Sequence, residues 1–250
     1  MSTAIDQLPG FRRRFRVTTG EGWVRSEVED DYHAMSVTLR HTQGIVNEVE
    51  PVHHRAPWTT CPGAVDQLRV TFTGLALETF SARGDKPQNC THLYDLALLA
   101  AAHALDAETL VFDILVSDPV DGRRQVELRR NGVSQLGWVE QDNRIVEPVE
   151  LRGRRLDELK PWIESLDPLQ QEAARLLRWG AMLAHGRVIP MERQSDARRM
   201  PPNCYTFQPH RAVEARRVGV IRDFSLGSAQ PLDPPIFNGR DEHASSHATA

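Results

Sequence analysis

Lysine is almost absent from this chain of 250 residues: arginine supplies 28 of the 30 basic residues, and the lysines are Lys86 and Lys160. A proline follows each lysine in polar surroundings, whereas a lysine that forms a Schiff base is normally desolvated or placed beside another cation. Schiff-base chemistry is therefore not expected. The arginine bias is typical of a GC-rich genome. The interspersed charges sum to −4 and favour neither nucleic-acid binding nor a polybasic membrane anchor.

Long apolar runs and cysteines are also scarce. No stretch approaches the roughly 18 apolar residues of a membrane span, and residues 1–17 lack the apolar run of a secretory signal. Three cysteines, Cys61, Cys90 and Cys204, are an odd number, which argues against a disulfide framework. We therefore expect a soluble protein of the bacterial cytoplasm that binds a small molecule. A homo-oligomer is compatible with the sequence.

Hydrophobic patterns predict an α+β fold. Residues 35–39 alternate apolar with polar, and residues 45–52 return after a turn, which together predict a β-hairpin. Further strands are predicted over residues 15–28, 110–116, 123–130 and 133–146, and helices after Cys61, from Leu93 to Leu105 and, with breaks near Pro161 and Pro168, from Leu156 to Gly186.

The chain divides into three predicted parts. With 40% hydrophobic residues it can bury a sizeable core. We predict a core domain over residues 11–150, in which an antiparallel sheet with hairpins packs against helices, and a helical extension over residues 151–228 that covers it. Residues 229–250 are proline-rich and then small and polar, which predicts a disordered tail.

Cys90 and His92 lie at the start of a long apolar helix. The stretch from Leu93 to Leu105 contains no glycine or proline, and Asn89 is its predicted N-cap. A cysteine in a first helical turn feels the positive end of the helix dipole, which lowers its pKa and favours the thiolate. The thiolate binds metals and attacks electrophiles, so this stretch predicts a functional site.

Four residues from separate parts of the chain are candidates for one site: His33 before the hairpin, Cys61 at a helix start, Cys90 and His92. Thiolate and imidazole suit zinc or iron, so the four are predicted metal ligands, and His33 and His92 alternatively act as acid and base without a metal. The spacing is not that of a zinc finger, and Cys90 and His92 share an ion only if Cys90 still lies in the loop. In another interpretation the cysteines are small buried hydrophobic residues.

Three further residues are catalytic candidates. His53 and His54 end the hairpin strand, where successive side chains face opposite sides, so one of them is expected to face the site as a general base. Tyr205 belongs to an aromatic and polar run over residues 204–211, which either lines the substrate pocket or packs back over the core.

Structural roles are predicted for two other histidines. His103 lies about 16 Å along the helix from His92 and is therefore too distant to share a metal with it. His185 lies at a helix end, where a cation complements the helix dipole.

The stretch from Asn89 to Leu93, Asn-Cys-Thr-His-Leu, resembles the Gly-Cys-Thr-His-Leu signature of a bacterial family of the domain-of-unknown-function kind. The resemblance covers about residues 11–105, with His33 and Cys61 in the same order, and Asn89 replaces the family's glycine. That family carries no agreed activity. The resemblance therefore implies a site at the four candidate residues without naming its chemistry.

The same order is similar to the NifU-type iron–sulfur scaffold, which has a ligand before a hairpin, a second at the next helix start and a third pair opening a long helix. That resemblance implies a related core topology. His33 stands where the scaffold has a cysteine, and about 145 residues are added, which argues against cluster assembly and for a metal or catalytic site on a reused fold.

These features predict a small-molecule enzyme of aromatic compound catabolism, a carbon–carbon lyase or hydrolase acting on an aromatic or oxygenated substrate. A zinc or iron ion held by the four candidate residues would polarise the substrate or activate water, or the histidines would act alone. The alternative is a metal or iron–sulfur carrier without catalytic activity. A third possibility is a structural or regulatory module with merely buried cysteines.

Overall fold

The computed structural model describes residues 4–234, and its centre is one eight-stranded antiparallel sheet with strand order β4-β3-β2-β1-β5-β6-β7-β8. The strands are β1 (Gly10–Gly20), β2 (Trp23–Glu29), β3 (Ala34–Thr42), β4 (Ile45–Arg55), β5 (Leu110–Ser117), β6 (Arg123–Arg130), β7 (Val133–Gln141) and β8 (Arg144–Glu147). The helices are α1 (Ala64–Phe72), α2 (Thr91–Ala102), α3 (Lys160–Glu164), α4 (Pro168–Ala184) and α5 (Pro209–Ala212). The predicted α+β class with an antiparallel sheet is confirmed.

Two meanders meet in the middle of this sheet. Strands β1 to β4 form the first, β5 to β8 form the second, and β1 pairs with β5 to join them. One face of the first meander is apolar, because Val17, Val37 and Leu39 lie at alternate positions of their strands and are fully buried. Helix α2 packs on this face against β2 and β3, and Ser26 Oγ donates a hydrogen bond of 2.6 Å to the Leu96 carbonyl.

Helix α4 packs over β5, β6 and β7. Gly180 permits this close approach, because a Cβ there would lie 2.7 Å from Cγ2 of Ile114 on β5. The helix begins at Pro168 after the Asp167 cap, whose side chain accepts from the Gln170 amide. Helix α4 places Trp179 at the end of the sheet that carries the turn between β2 and β3.

The predicted elements mostly match the structure in position. The hairpin of β3 and β4, the strands β5 to β8 and the breaks in the helical region near Pro161 and Pro168 are present. Helix α2 starts at Thr91 with Cys90 as its N-cap, not Asn89, and it ends at Ala102. No helix within residues 4–234 has both the length and the apolarity to cross a membrane.

The last described residues cross the outer face of β1 and β2. Leu232 is fully buried, its amide donates to Glu29 Oε2 at 2.7 Å, and its carbonyl accepts from Arg16 at 2.9 Å. Pro231 and Leu232 of the predicted tail therefore contact β1 and β2. Its remaining part, residues 235–250, lies outside the described residues.

His103 joins the end of α2 to α4. Its Nδ1 is 2.8 Å from Asp106 Oδ2 and its Nε2 is 3.0 Å from Glu172 Oε2. Burial lowers the pKa of His103, but hydrogen bonds and charge from Glu172 and Asp106 outweigh burial and leave the pKa raised. The structure thus gives His103 the structural contacts that its position predicts.

We predict that His103→Ala lowers the free energy of unfolding by about 1–3 kcal/mol at pH 5.5, where the imidazolium is paired. Because the folded-state pKa is raised, this stabilisation is complete below the unfolded pKa near 6.5 and is lost as pH rises through the folded value. Denaturant unfolding at pH 5.5 and 9 measures the change. His210→Ala, at an exposed histidine, is the control. An equal loss at both pH values would contradict the charged bridge.

Candidate functional site

A cavity of about 470 Å³ opens where the N-terminus of α2, the end of α4 and residues 200–217 meet the turn between β2 and β3. Its wall is mainly apolar and rich in sulfur and aromatic rings. The apolar lining includes Met35, Trp58, Trp179, Met182, Leu183 and Phe207. All four candidate residues from the sequence line this cavity: His33, Cys61, Cys90 and His92.

The turn that carries His33 is organised by the carboxylate of Asp30. Asp30 Oδ1 accepts from the backbone amides of Tyr32 at 2.8 Å and His33 at 2.9 Å, and it lies 2.9 Å from His33 Nδ1. The Asp30 amide donates back to the His33 carbonyl at 2.9 Å. Such a turn fixes both the backbone and the imidazole ring of His33, so the ring is positioned before any ligand arrives.

Asp30 is also paired with Arg13 of β1. The two side chains form an ion pair, and both are almost wholly inaccessible to solvent. Burial raises the pKa of Asp30, but the charges of His33 and Arg13 and the hydrogen bond from His33 outweigh it and hold the pKa well below its usual range. An ionised carboxylate only accepts hydrogen bonds, so His33 Nδ1 carries the proton. When the ring is neutral, its lone pair is therefore on Nε2.

His92 stacks on His33. The two ring centroids are 4.0 Å apart at an interplanar angle of 27°. Trp179 contacts the His92 ring edge-on, with the ring centroids 5.8 Å apart. Burial, followed by the nearby charges of His33 and Arg13, holds the pKa of His92 well below its usual value. His92 is therefore neutral at pH 7, and its buried Nε2 has no hydrogen-bond partner among residues 4–234.

The two histidines at the end of β4 face opposite sides. His53 pairs with Met35 in the register, and burial, then the charge of His33, lowers its pKa to about 4. Both of its ring nitrogens are buried without a partner in the described part of the chain. His54 is exposed, and its Nε2 is 3.1 Å from Ser36 Oγ on the other face. His53 therefore lies next to the histidine pair but does not line the cavity, and His54 lies away from it.

All three cysteines line the cavity as free thiols. Burial raises the pKa of Cys90 far above its ordinary value despite its N-cap position, and burial also raises the pKa of Cys61, whose Sγ is 3.5 Å from Thr206 Oγ1. The pKa of Cys204 is raised to about 11, again mainly by burial. The expected thiolate at Cys90 is therefore not supported, because desolvation outweighs the helix dipole.

The predicted metal ligands share the cavity wall, but their geometry does not fit an ion. Within residues 4–234 no three His, Cys, Asp or Glu side chains are grouped closely enough to hold one together. His33 Nδ1 is committed to Asp30, and the thiols are in their neutral form. The assignment of zinc or iron to His33, Cys61, Cys90 and His92 stays a prediction.

The segment around Tyr205 covers one side of the cavity. Its neighbours Cys204, Thr206 and Phe207 line the cavity, whereas Tyr205 does not. The Tyr205 amide donates to the Asn89 carbonyl at 2.8 Å, and the Arg211 guanidinium lies 3.7 Å from the centre of the Tyr205 ring. Tyr205 therefore anchors the segment to the start of α2.

A second tie connects the turn to the end of α4. Arg187, just after α4, forms an ion pair with Asp31. Burial raises the pKa of Asp31 to about 6, against the opposing charge of Arg187. His185 lines the cavity with its Nε2 2.9 Å from Glu140 Oε2. The side of the cavity formed by α4 is therefore fixed to the turn that carries His33.

The sequence analysis does not include Asp30, Arg13 or Arg217 among the candidate site residues. The spacing of Asp30 and His33 was a visible signal, because an aspartate three residues before a histidine can accept from its ring across a turn. Arg13 gave no signal, since it stands in a run of three arginines and only the strand register distinguishes its side.

No family model and no curated protein matches the chain. A solved structure entitled "Crystal structure of a Viral Glycoprotein" is similar at 13% identity over 75% of this chain, with a TM-score of 0.20. The chain spans 61% of the length of that protein. A TM-score this low supports no argument about fold or function.

We predict that Asp30→Asn lowers the free energy of unfolding by about 3–5 kcal/mol, because it leaves the buried Arg13 guanidinium without its counter-charge. Denaturant unfolding measures this loss. The double variant Arg13→Met, Asp30→Asn is expected to recover a large part of it, since it removes the buried charge as well. A single variant as stable as the wild type, or a double variant less stable than the single, would contradict the pairing.

Proposed function

We propose that the chain is a small-molecule catabolic enzyme, a carbon–carbon hydrolase or lyase in which His33 acts as general base and then as general acid. The observation that carries the proposal is the hydrogen bond between Asp30 and His33 Nδ1 at the wall of an apolar cavity. An imidazole held by a carboxylate, with the other ring nitrogen directed to a ligand pocket, is a frequent arrangement for proton transfer.

Two properties of the surroundings support this role. Among residues 4–234, no hydrogen bond occupies His33 Nε2, so a ligand or water can approach it. The neighbouring His92 is neutral and stacks on His33, so it adds no positive charge that would oppose protonation of His33. The aromatic wall of Trp58, Trp179 and Phe207 suits an aromatic substrate.

The proposed hydrolysis balances without a cofactor. His33 Nε2 removes a proton from water while the water oxygen bonds to a substrate carbonyl carbon. The adjacent C–C bond then breaks, its electron pair stays on the departing carbon, and that carbon receives the proton from His33. In the lyase version Nε2 removes the proton of a substrate hydroxyl instead, and no water is consumed.

The alternative function is a metal or iron–sulfur carrier with a NifU-like core and a helical C-terminal extension. The three thiols on one cavity wall favour it, since cysteine is the main ligand of such cargo. It requires Cys61, Cys90 and Cys204 to approach one another and ionise. Three free thiols also fit a reducing compartment, so we propose a cytoplasmic setting for either function.

We predict that diethyl pyrocarbonate acylates His33 at pH 7, because no described residue forms a hydrogen bond to its Nε2, and that His103, bonded at both ring nitrogens, reacts at least about tenfold more slowly. Peptide mass spectrometry measures both rates, and the exposed His210 gives the reference rate. Protection of His33 comparable to that of His103 would exclude it as an accessible base.

We further predict that the protein cleaves an aromatic diketone such as benzoylacetone, and that His33→Gln lowers the rate by about 100-fold or more. Loss of the diketone absorbance measures the rate. Glutamine retains a side-chain hydrogen-bond donor for Asp30 but supplies no base. His54→Gln, on the opposite face, is the control that keeps the rate. An unchanged rate in His33→Gln would reject the assignment of the base.

Elemental analysis of protein purified without an affinity tag separates the two functions. The acid–base enzyme is expected to contain far less than one zinc or iron per chain. About one ion per chain, lost in both Cys90→Ala and His92→Ala, would instead favour the metal site predicted from the sequence.

A further inference from the structure

We propose that Arg217 binds the carboxylate of the substrate, so that the cavity takes an apolar, preferably aromatic, monocarboxylate. The inference deepens the proposed function and rests on it for the identity of the ligand as a substrate. It concerns binding, and it is therefore tested separately from proton transfer at His33.

Arg217 is an arginine in an apolar wall. Its guanidinium carbon lies 5.3 Å from the centre of the Trp58 ring and 5.5 Å from the centre of the Tyr32 ring, and all three residues line the cavity. These aromatic rings replace water around the Arg217 guanidinium, a cation that normally pairs with a carboxylate when it is desolvated.

No such carboxylate is supplied by the described part of the chain. Burial lowers the pKa of Arg217, and the neighbouring groups that act on it are Tyr32 and Cys61, both neutral at pH 7. Among residues 4–234, those that line the cavity include no Asp or Glu, although the chain has 34 acidic residues against 30 basic ones. They do include a second arginine, the exposed Arg193. An anionic ligand would therefore be attracted by Arg217 and meet no acidic side chain in the wall.

The backbone of Arg217 is held independently of its side chain. Arg217 forms an isolated β-bridge with Trp58, and the Val218 amide donates to the Pro57 carbonyl at 2.8 Å. The guanidinium is thus presented from a fixed position. Its planar fork matches a carboxylate with two parallel hydrogen bonds.

Arg217 and His33 are joined through one aromatic ring. Tyr32 contacts Arg217, and its ring centroid is 6.3 Å from that of His33. A ligand whose carboxylate pairs with Arg217 can therefore present its remaining atoms to His33 across the same cavity. Arg193, the other described arginine of the lining, is exposed, so Arg217 alone of the two offers a desolvated guanidinium to the ligand. A second negative charge, as on a phosphate, would lie unpaired in the apolar cavity, and a monocarboxylate is therefore favoured.

Isothermal titration calorimetry with 1-naphthylacetate and 1-naphthylacetamide tests the proposal, since the two probes have nearly the same shape and differ in charge. The wild type is expected to bind the carboxylate at least about tenfold more tightly than the amide. Arg217→Met retains an unbranched apolar side chain against Trp58 and is expected to abolish this preference. Arg217→Lys is expected to restore part of it.

Arg216→Met is the matched control, because Arg216 is the adjacent exposed arginine and does not line the cavity. It is expected to keep the wild-type preference. Thermal unfolding checks that each variant is folded. Equal affinity for the two probes in the wild type, no measurable binding of either, or an unchanged preference in Arg217→Met would overturn the proposal. Tighter binding of 1-naphthyl phosphate than of the carboxylate would overturn the choice of a monocarboxylate.

The same measurement on His33→Gln distinguishes this proposal from the proposed function. The variant is expected to keep the carboxylate preference while it loses cleavage of benzoylacetone. Retained cleavage in His33→Gln together with a lost preference in Arg217→Met would reject the base and support the anion site. Lost cleavage in His33→Gln together with an unchanged preference in Arg217→Met would support His33 as the base and reject Arg217 as the anion site.

Discussion

The buried ion pair between Arg13 and Asp30 is the interaction on which the candidate site depends. A carboxylate with almost no solvent contact would normally take up a proton, and a protonated Asp30 would no longer be a pure hydrogen-bond acceptor for His33. Arg13 from β1 supplies the counter-charge that keeps it ionised. The ionised group then accepts from two backbone amides and from the imidazole, so one ion pair determines the turn, the ring orientation and the tautomer.

The cavity combines this polar group with surroundings that contain few charges. Desolvation holds the half-buried His53 and His92 neutral, and it holds the thiols of Cys61, Cys90 and Cys204 protonated. The described arginines of the wall, Arg193 and Arg217, keep their charge at any physiological pH, and Arg217 has no carboxylate partner among the described residues. In a medium of low effective dielectric, isolated charges of this kind interact strongly with a ligand, because little water or counter-charge screens them.

Much of the fold was predictable because the sheet is antiparallel. One face of β3 is apolar and the other polar, and the resulting period of two is visible in residues 35–39 without any knowledge of the partner strand. The end of α2 was less predictable. Its apolar pattern continues to Leu105, but His103 leaves the helix to bridge Asp106 and Glu172, and Glu172 is distant in sequence.

The site was predictable only in part, for a physical reason. Cys61, Cys90, His33 and His92 line one cavity because each lies at the end of a helix or strand, and turn and cap signals in the sequence indicate such ends. Their chemistry was not predictable, since it depends on desolvation. At the N-terminus of α2 the helix dipole favours a Cys90 thiolate by at most about 2 kcal/mol, which lowers the pKa by about 1.5 units. Full burial raises the pKa of a thiol by up to about 3–5 units, so burial outweighs the dipole. Whether a thiol at a helix start is reactive therefore depends on how deeply the fold buries it, and Cys90 is buried.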